Sequence, residues 1–463
     1  MLFFITFLQK MRTFVHTQIL NFMHFKYKSL LIAAGLCAGM AAKYLTGPSI
    51  QTFGTDFTPP VPMAVSLRIP AMFSEDKTFS QIDRRMDRFM NRWELAGASV
   101  AIAQDGKLVF AKGYGYADSE NREKAEPHHL FRVASISKLI TAAGIMKLVE
   151  ENKLSLHDKV FGSNGILNVA PFNDYLDRRV ENIEVIHLLN HSGGWSNRWG
   201  DPMFMPQTVA TGLGKELPVS DEDIISFMLG KRLHFPPGTM SSYSNLGYAI
   251  LGRIIEARSG QDYESFIRTR LLYPLGIFDM RLGGSFPEER AELEVKYYEP
   301  AGQMLVDDFT GNGQKVPRSY GGNDIRTLGA AGGWIASATD LLKFLLAIDG
   351  MPYPEDILTP ESIEIMTTPV RPGFQPLGWR GASSDRWVRT GTLSGTSTLM
   401  VRRSDGISYV VLFNSNTWKG PMLSTEIRTL MDQAIAQTNS WPSHDLFEVA
   451  QNQYETHSYY SSH

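Results

Sequence analysis

Two segments near opposite ends of the chain predict β-hairpins, and together they restrict the fold more than any other feature. The first, ASVAIAQDGKLVFAKGYGYAD, spans residues 98–118 and turns at Asp105 and the glycine after it. The second, TLMVRRSDGISYVVLFN, spans residues 398–414 and turns in the same way at Asp405. Alternating apolar residues on both sides of an Asp-Gly pair are a strong hairpin signal. We therefore predict one antiparallel sheet that the two ends of the chain close together.

Helical spacing of apolar residues flanks both hairpins, whereas the middle of the chain differs. Residues 80–95, before the first hairpin, and residues 424–438, after the second, have the helical period, as do residues 337–348. Residues 119–326 are rich in helix-forming runs, turns and Gly/Pro loops. This order predicts a discontinuous α/β domain: an antiparallel sheet flanked by helices, with a mostly helical subdomain inserted.

The boundaries of this domain follow from the same patterns. We assign residues 73–440 to it, with an α/β part at about 73–118 and 327–440 and a helical part at about 119–326. The remaining C-terminal residues, 441–463, are predicted to form a polar tail.

The N-terminal region predicts an export segment followed by a linker. Two lysines precede the apolar run SLLIAAGLCAGMAA, which ends in small residues. That pattern is typical of a signal peptide, and the run is short for a membrane span. We assign residues 1–42 to a signal peptide or membrane anchor that starts at Met23, or alternatively at Met11. Residues 43–72, rich in Thr, Pro and Gly, are the predicted linker.

Charge and cysteine content exclude several functional classes. The net charge is −3 with no basic block, so we expect no nucleic-acid partner. Cys37 is the only cysteine, so an internal disulfide cannot form and a small disulfide scaffold is excluded.

The run FRVASISKLITAAGIMKLVEE contains the first candidate pair, Ser135 and Lys138. Residues three apart share a helix face, and a lysine is costly to bury unless its charge is used. A serine becomes nucleophilic when a base lies within hydrogen-bond reach, and N–H groups at a helix start stabilise an oxyanion. The spacing alone is a weak signal, because Ser74 and Lys77 repeat it in a charged segment without an apolar helix after it.

A second candidate lies in FPPGTMSSYSNLGYAILGRIIE, where a Gly/Pro turn precedes Tyr243 and Asn245 and an apolar helix follows. A tyrosinate accepts a proton when nearby cations lower its pKa. The asparagine amide is able to donate to a substrate carbonyl and to contact a lysine. The alternative is a packed tyrosine whose hydroxyl binds a backbone group.

A third candidate is RTGTLSG, just before the second hairpin, where Arg389 and Thr390 supply a cation and a hydroxyl at a predicted strand start. Gly391 permits close backbone approach. The N–H of Thr392 is then a candidate oxyanion donor. The alternative is a solvated strand arginine.

In this order the three motifs resemble those of the serine β-lactamase and penicillin-binding-protein superfamily, and Tyr-Ser-Asn in second place resembles its class C branch. The resemblance covers about residues 79–437. Further segments agree with it: GYGYAD, ENKLSLHDKV, LLNHSGGW, LLYPLGIFDM and AAGGWIASATDLLKF. It implies the β-lactamase/transpeptidase-like α/β fold, with the site in a cleft between subdomains.

The resemblance also implies roles for the candidate residues. Ser135 is the acylated nucleophile, Lys138 assists proton removal, and Tyr243 is the general base or proton relay. Asn245 orients substrate and lysine. The third motif of the family begins with Lys or His, so Arg389 is a departure: it keeps the charge but cannot release a proton.

These observations lead to the expectation of a serine hydrolase that forms an acyl-enzyme on an amide or ester, such as a D-amino-acid peptide or a β-lactam. An esterase remains an alternative, since Trp195, Trp199, Phe204 and Trp334 are candidates to line an apolar cleft. A silent binding or regulatory protein on the same scaffold is another. We expect no cofactor and no metal, a cell-envelope location, and membrane anchoring only through the N-terminal segment.

The pair His187 and His191 has the spacing of helical zinc ligands, but no glutamate follows His187 and no third ligand is apparent. We therefore interpret both histidines as structural.

Overall fold

The computed structural model describes residues 66–69, 74–75, 77–438 and 440–451. The predicted export segment, most of the linker and the end of the predicted tail lie outside these residues. Within the described ranges, no helix has both the length and the apolar character needed to cross a membrane.

The described chain alternates helices, strands and short 3-10 turns. The helices are α1 Ser80–Trp93, α2 Ser137–Glu150, α3 Val185–Leu189, α4 Pro206–Leu213, α5 Asp221–Leu229, α6 Asn245–Ser259, α7 Tyr263–Ile267, α8 Ile325–Gly332, α9 Ala338–Leu346, α10 Pro360–Thr367 and α11 Leu423–Ile435. The strands are β1 Gly97–Gln104, β2 Lys107–Asp118, β3 Glu123–Lys124, β4 Phe131–Arg132, β5 Arg281–Leu282, β6 Val306–Asp307, β7 Lys315–Val316, β8 Trp334–Ala336, β9 Gly381–Ala382, β10 Arg386–Leu393, β11 Thr396–Arg403 and β12 Ile407–Phe413.

The main sheet is antiparallel and joins both ends of the domain. Its strand order is β3-β2-β1-β12-β11-β10-β9. Both predicted hairpins are present as β1–β2 and β11–β12, and β1 pairs with β12 so that Ala98 lies opposite Phe413. The predicted sheet closed by the two ends of the chain is therefore confirmed.

Side chains alternate across this sheet and build two cores. Val100 and Ile102 of β1 face one side, where they pack with residues of α1 and α11 such as Met86 and Met431. Ala103 and its neighbours on the other face pack into the larger core, which includes most of the helices. Period-two alternation with apolar residues on both faces is what a sheet covered on both sides requires.

The helical part is built around α2, whose residues are buried on nearly every side. It packs against α6 and α8. A small sheet in the order β4-β8-β5 fixes the chain just before α2, and the N–H of Val133 continues it by donating to Trp334 O at 2.9 Å. An apolar helix that is covered all round carries any polar residue at its start into the interior.

The domain extends beyond its predicted C-terminal boundary at residue 440. Trp441 packs against Phe79 with ring centroids 6.1 Å apart, and Leu446 is buried. The Asp445 carboxylate accepts a hydrogen bond from the N–H of Leu108 at 3.1 Å. The prediction of a polar tail from residue 441 is thus wrong for residues 441–451, because the apolar side chains of WPSHDLFEVA cover the edge of the core.

Candidate active site

Ser135 lies in a single 3-10 turn, Ala134–Ile136, that leads directly into α2. Ala134 adopts a φ of 49°, in the left-handed region that residues with a side chain rarely occupy. The carbonyl of the neighbouring Val133 is held by two hydrogen bonds. It accepts one from Thr398 Oγ1 at 3.1 Å and one from the N–H of Ile136 at 3.1 Å. The sharp turn directs the Ser135 side chain towards a cleft, where it is partly exposed.

Lys138 is fully buried one helical turn after the serine. Its Nζ donates to Asn245 Oδ1 at 2.6 Å and to the carbonyl of Ala331 at 2.6 Å, and lies 3.5 Å from Ser135 Oγ. Ala331 is in the last turn of α8, where helix carbonyls lack intrahelical partners and carry partial negative charge. Burial lowers the pKa of Lys138. The lysine therefore occupies an interior site whose acceptors satisfy its charge.

Tyr243 makes the shortest side-chain contact to the serine, with its hydroxyl 2.7 Å from Ser135 Oγ. Burial opposes ionisation of the phenol, but the charges of Lys138 and Arg389 outweigh it and lower the pKa of Tyr243 to about 8. The Lys138 ammonium lies 4.9 Å from the centre of the tyrosine ring. A phenolate is thus accessible near neutral pH, within hydrogen-bond reach of the serine proton.

Arg389 approaches the serine from the sheet. Its Nε donates to the carbonyl of Ser135 at 2.7 Å, and its Nη2 is buried without a partner in the described chain. The sequence placed this motif at a strand start, whereas it lies inside β10. The difference arises because the two-residue turn after Leu393 pairs β10 with β11, so the hairpin at 398–414 is part of a longer meander.

At Gly391 the backbone of β10 lies close to the serine turn. A Cβ added there would lie 2.3 Å from Val133 O and 2.4 Å from Thr398 Oγ1, and 3.0 Å from the backbone nitrogen of Ser135. Distances below 3 Å to backbone atoms cannot be relieved without moving the strand. Only glycine fits this position while β10 remains against Ser135.

Thr390 and Thr392 lie along an open section of the β10 edge and line the cleft. The short strand β9 pairs only with Trp387 and Val388, and Val388 O accepts from the N–H of Arg380 at 2.9 Å. Backbone groups point to the same side at every second residue of a strand. The N–H groups of Thr390 and Thr392 are therefore directed to the open edge beside Ser135.

These residues surround a cleft of about 610 Å³. Its polar lining includes Ser135, Tyr243, Asn245, Thr390 and Thr392 together with the three arginines Arg380, Arg389 and Arg428. Among the described residues that line it there is no aspartate or glutamate. The cleft is therefore positively charged, as a site for an anionic ligand requires.

The sequence profile of the Beta-lactamase family matches residues 82–430 of this chain. The chain belongs to the Beta-lactamase family. The match includes every candidate residue described above, from Ser135 to Thr392.

Curated relatives of this Beta-lactamase family member cover part of its length. Penicillin-binding protein 4* of Bacillus subtilis is 31% identical over 66% of this chain and 65% of the relative. Protein flp of Staphylococcus aureus is 30% identical over 42% of this chain and 36% of the relative. The chain thus aligns with little more than a third of flp.

Solved structures confirm the predicted α/β fold. The octameric penicillin-binding protein homologue from Pyrococcus abyssi has 27% identity and a TM-score of 0.57, covering 76% of this chain and 77% of the homologue. D-amino acid amidase from Ochrobactrum anthropi has 24% identity and a TM-score of 0.60, covering 79% and 100% of the respective chains. D-alanine carboxypeptidase AmpC from Burkholderia cenocepacia, at 20% identity and a TM-score of 0.57, covers 78% and 98%.

Of the four aromatic residues considered as an apolar lining, only Phe204 lines the cleft. Trp195 and Trp334 are buried in the core, and Trp199 is exposed outside the lining. The sequence shows that these residues are apolar, but it does not show whether each one packs in the core or lines the cleft.

Two residues near the Beta-lactamase family site were not recognised as part of it from the sequence. Asp201 accepts a hydrogen bond from Asn245 Nδ2 at 2.6 Å. His191 packs 4.7 Å from the ring of Tyr243, and its Nδ1 accepts from the N–H of Ser244 at 3.2 Å. Burial lowers the pKa of His191 well below its usual value, so the ring is neutral. The neutral histidine braces the segment that carries Tyr243.

His187 does not face the same site as His191. Its Nδ1 accepts from the N–H of Glu184 at 3.1 Å and so closes the start of α3. Within the described residues no cluster of three or more His, Cys, Asp or Glu side chains has the geometry of a metal site. The two histidines therefore serve separate local contacts.

Proposed function

We propose that this protein is a serine hydrolase that forms an acyl-enzyme through Ser135. The observation that carries the proposal is the 2.7 Å contact between Ser135 Oγ and a tyrosine hydroxyl whose pKa is lowered to about 8. A base poised near the working pH and within hydrogen-bond reach of a hydroxyl is the requirement for activating it.

The proposed reaction begins with transfer of the Ser135 proton to the Tyr243 phenolate as Oγ attacks the substrate carbonyl. The oxyanion accepts hydrogen bonds from the N–H groups of Ser135 and Thr392. Tyr243 then returns the proton to the leaving nitrogen or oxygen, the bond to the leaving group breaks, and the acyl group remains on Ser135. Water hydrolyses this ester in the second half, with Tyr243 again as base.

Lys138 and Arg389 support this chemistry through charge. Both are buried, and both lower the pKa of Tyr243. An arginine keeps its proton at any working pH, so no proton passes through Arg389. Asn245 is assigned to the substrate: it lines the cleft, where its amide is able to meet a carbonyl of the acyl side.

The charge of the cleft supports an anionic substrate. Arg380, Arg389 and Arg428 line it without a carboxylate from the described chain, and Thr390 adds a hydroxyl. The charge of Arg389, whose Nη2 is buried without a partner in the described chain, attracts a carboxylate in the cleft. We therefore propose peptides with a free C-terminal carboxylate, such as D-amino-acid peptides, or β-lactams that carry the same group.

An ester substrate is the second candidate. Its support is the apolar part of the cleft wall, which Phe204, Leu328, Leu393 and Met422 form. Such a surface accommodates a hydrophobic acyl group. A related solved structure, EstCE1, is described as a hydrolase with promiscuous acyltransferase activity, which is said of that protein alone.

We further propose that the protein acts in the cell envelope. The support is the basic and apolar N-terminal run within residues 1–42, which precedes the described domain.

Intact-protein mass spectrometry of wild type and Ser135→Ala, after exposure to a fluorophosphonate and separately to a penicillin, tests the proposal. We expect a fluorophosphonate adduct on wild type alone. A lasting penicillin adduct would then indicate a penicillin-binding peptidase, and opened drug without an adduct a β-lactamase. A folded wild type that gives neither adduct nor turnover would overturn the hydrolase proposal and leave the silent binding protein.

A further inference from the structure

Asp201 holds the amide of Asn245 from the side opposite Lys138. Its Oδ2 accepts a hydrogen bond from Asn245 Nδ2 at 2.6 Å, while Asn245 Oδ1 accepts from Lys138 Nζ at 2.6 Å. An amide donates only through nitrogen and accepts only through oxygen. The carboxylate therefore determines which end of the Asn245 amide faces the lysine.

We propose that Asp201 is a positioning residue for acylation, which orients Asn245 and whose charge keeps Lys138 in the ammonium form. The proposal rests on the proposed function, because acylation is the reaction that it serves. If the acceptor at Asp201 were absent, the amide would be free to rotate by half a turn and turn its NH₂ group towards the ammonium. Two donors would then face each other in a buried place, which is unfavourable.

The electrostatic part of the argument follows from burial. Burial disfavours the charged form of Lys138, and the negative charges of Tyr243 and Asp201 oppose that effect. The ammonium in turn favours the Tyr243 phenolate. The other charged or titratable side chains facing Lys138 and Tyr243 are Arg389 from β10, His191 from the loop after α3, and Tyr248 from α6. Burial raises the pKa of Asp201, while hydrogen bonds from Met203 and Asn245 and the charge of Lys138 favour its carboxylate form. Asp201 is the carboxylate that interacts with the charge of Lys138.

Only one of the two Asp201 carboxylate oxygens is used to cap a local turn. Oδ1 accepts from the N–H of Met203 at 3.1 Å and caps the turn Pro202–Phe204. Oδ2 is used for Asn245 and for Asn197 Nδ2 at 3.2 Å. Asparagine caps such turns about as well as aspartate does. The substitution Asp201→Asn therefore keeps the cap on Met203 but removes both the charge and the acceptor for Asn245.

The first test compares full-length wild type with Asp201→Asn in fluorophosphonate labelling rates across pH. We expect the rate to begin falling at lower alkaline pH in the variant, because Lys138 loses its proton more readily without the carboxylate charge. Asp262→Asn is the matched control, since Asp262 caps α7 through the N–H of Ser265 at 2.9 Å. A uniform loss of rate at every pH, with no shifted limb, would overturn the role of the Asp201 charge on Lys138; the orienting role is decided by the next test.

The second test exchanges donor and acceptor. Asn245→Asp places two carboxylates against each other, so we expect acylation at least ten times slower than in wild type. Adding Asp201→Asn restores a donor opposite an acceptor, so the double variant should label at least ten times faster than Asn245→Asp. Equal rates for the double variant and Asn245→Asp, with both folded, would contradict the orienting role.

A third measurement does not depend on turnover. Titration of ¹³C-labelled lysine by NMR, with Lys138 assigned through Lys138→Arg, gives the midpoint for Lys138 in wild type and in Asp201→Asn. A lower midpoint in the variant is expected. If wild type is not acylated but the midpoint falls, the hydrolase proposal fails while the link between carboxylate and lysine stands. If wild type is acylated and the midpoint is unchanged, the role of Asp201 fails alone.

Discussion

The chain contains two Ser-x-x-Lys segments in different surroundings, Ser74 to Lys77 and Ser135 to Lys138. Both serine hydroxyls are hydrogen bonded, Ser74 Oγ to the N–H of Ala111 at 2.8 Å and Ser135 Oγ to Tyr243 at 2.7 Å. The two segments differ in which of the two side chains, serine or lysine, is exposed. Ser74 is fully buried and Lys77 is exposed, whereas Ser135 reaches a cleft and Lys138 is fully buried.

This difference shows that the Ser-x-x-Lys pattern does not contain the information on which side chains surround the serine and the lysine. Ser74 is used to satisfy a strand N–H, and Lys77 keeps its ordinary hydration at the surface. At Ser135 a tyrosine and an asparagine from one segment and a helix carbonyl from another surround the lysine. The chemistry depends on those neighbours, because burial and charge set the protonation states on which a nucleophile relies. Substitutions made in matched pairs test this comparison.

The largest effect is expected for the two serines. Ser135→Ala should reduce the rate of acylation by at least about 1,000-fold, since no other group provides the nucleophile. Ser74→Ala should leave that rate unchanged and lower the free energy of unfolding by about 1–3 kcal/mol, because the buried N–H of Ala111 loses its acceptor. Fluorophosphonate labelling and urea denaturation measure the two quantities. Loss of labelling in a folded Ser74→Ala variant would break the comparison.

The two lysines form the next pair. Lys138→Met should slow acylation by about 100- to 10,000-fold, since it removes the cation that supports the Tyr243 phenolate. Lys77→Met changes an exposed side chain and should alter neither rate nor stability. Stopped-flow measurement of a chromogenic ester or β-lactam gives the rates. Similar losses for both variants would mean that burial of Lys138 is irrelevant to its role.

Substitutions of two tyrosines distinguish the proton-accepting role of Tyr243 from the packing of a buried aromatic ring. Activity should decline as pH falls through about 8, because the lowered pKa of Tyr243 is where the phenolate gains its proton. Tyr243→Phe should slow acylation by about 100- to 1,000-fold and abolish that limb of the pH profile. Tyr248 lies 5.6 Å from the same ammonium, but burial raises its pKa and it remains a phenol. The Tyr248→Phe variant should therefore still lose activity as pH falls through about 8, and only its free energy of unfolding should decrease.

The smallest of these effects concerns the arginine that has no counterpart at Ser74. Arg389→Lys keeps a charge but loses the Nε bond to the carbonyl of Ser135, so we expect kcat/KM for a carboxylate substrate to fall about tenfold. Arg386→Lys on the same strand is the control, since Arg386 pairs with Asp432 at 2.9 Å away from the cleft. Equal effects in both variants would remove Arg389 from the substrate site.

Local patterns predicted the architecture well. The Asp-Gly turns at Asp105 and Asp405 and the helical period before and after them gave the hairpins and flanking helices, because each depends on residues close in sequence. The C-terminal boundary was wrong, since whether Trp441 and Leu446 are covered depends on Phe79 and the far edge of the sheet.

The candidate site divides in the same way. Ser135, Lys138, Tyr243 and Asn245 carried recognisable motifs, and the structure brings them together. Asp201 and the carbonyl of Ala331 had no such signal. An aspartate before a proline predicts a turn, and any helix end offers a carbonyl, so neither indicates contact with a distant residue.

The sequence by itself determined the elements and the kinds of side chain available: strands, helices, a serine before an apolar helix and a tyrosine after a turn. The tertiary structure alone decided that Asp201 meets Asn245 and that the carbonyl of Ala331 meets Lys138. The physical reason is that propensity and periodicity act over a few residues, whereas desolvation and charge interactions depend on atoms brought together from the whole chain. A pKa of about 8 for Tyr243 belongs to that assembly and not to any segment of it.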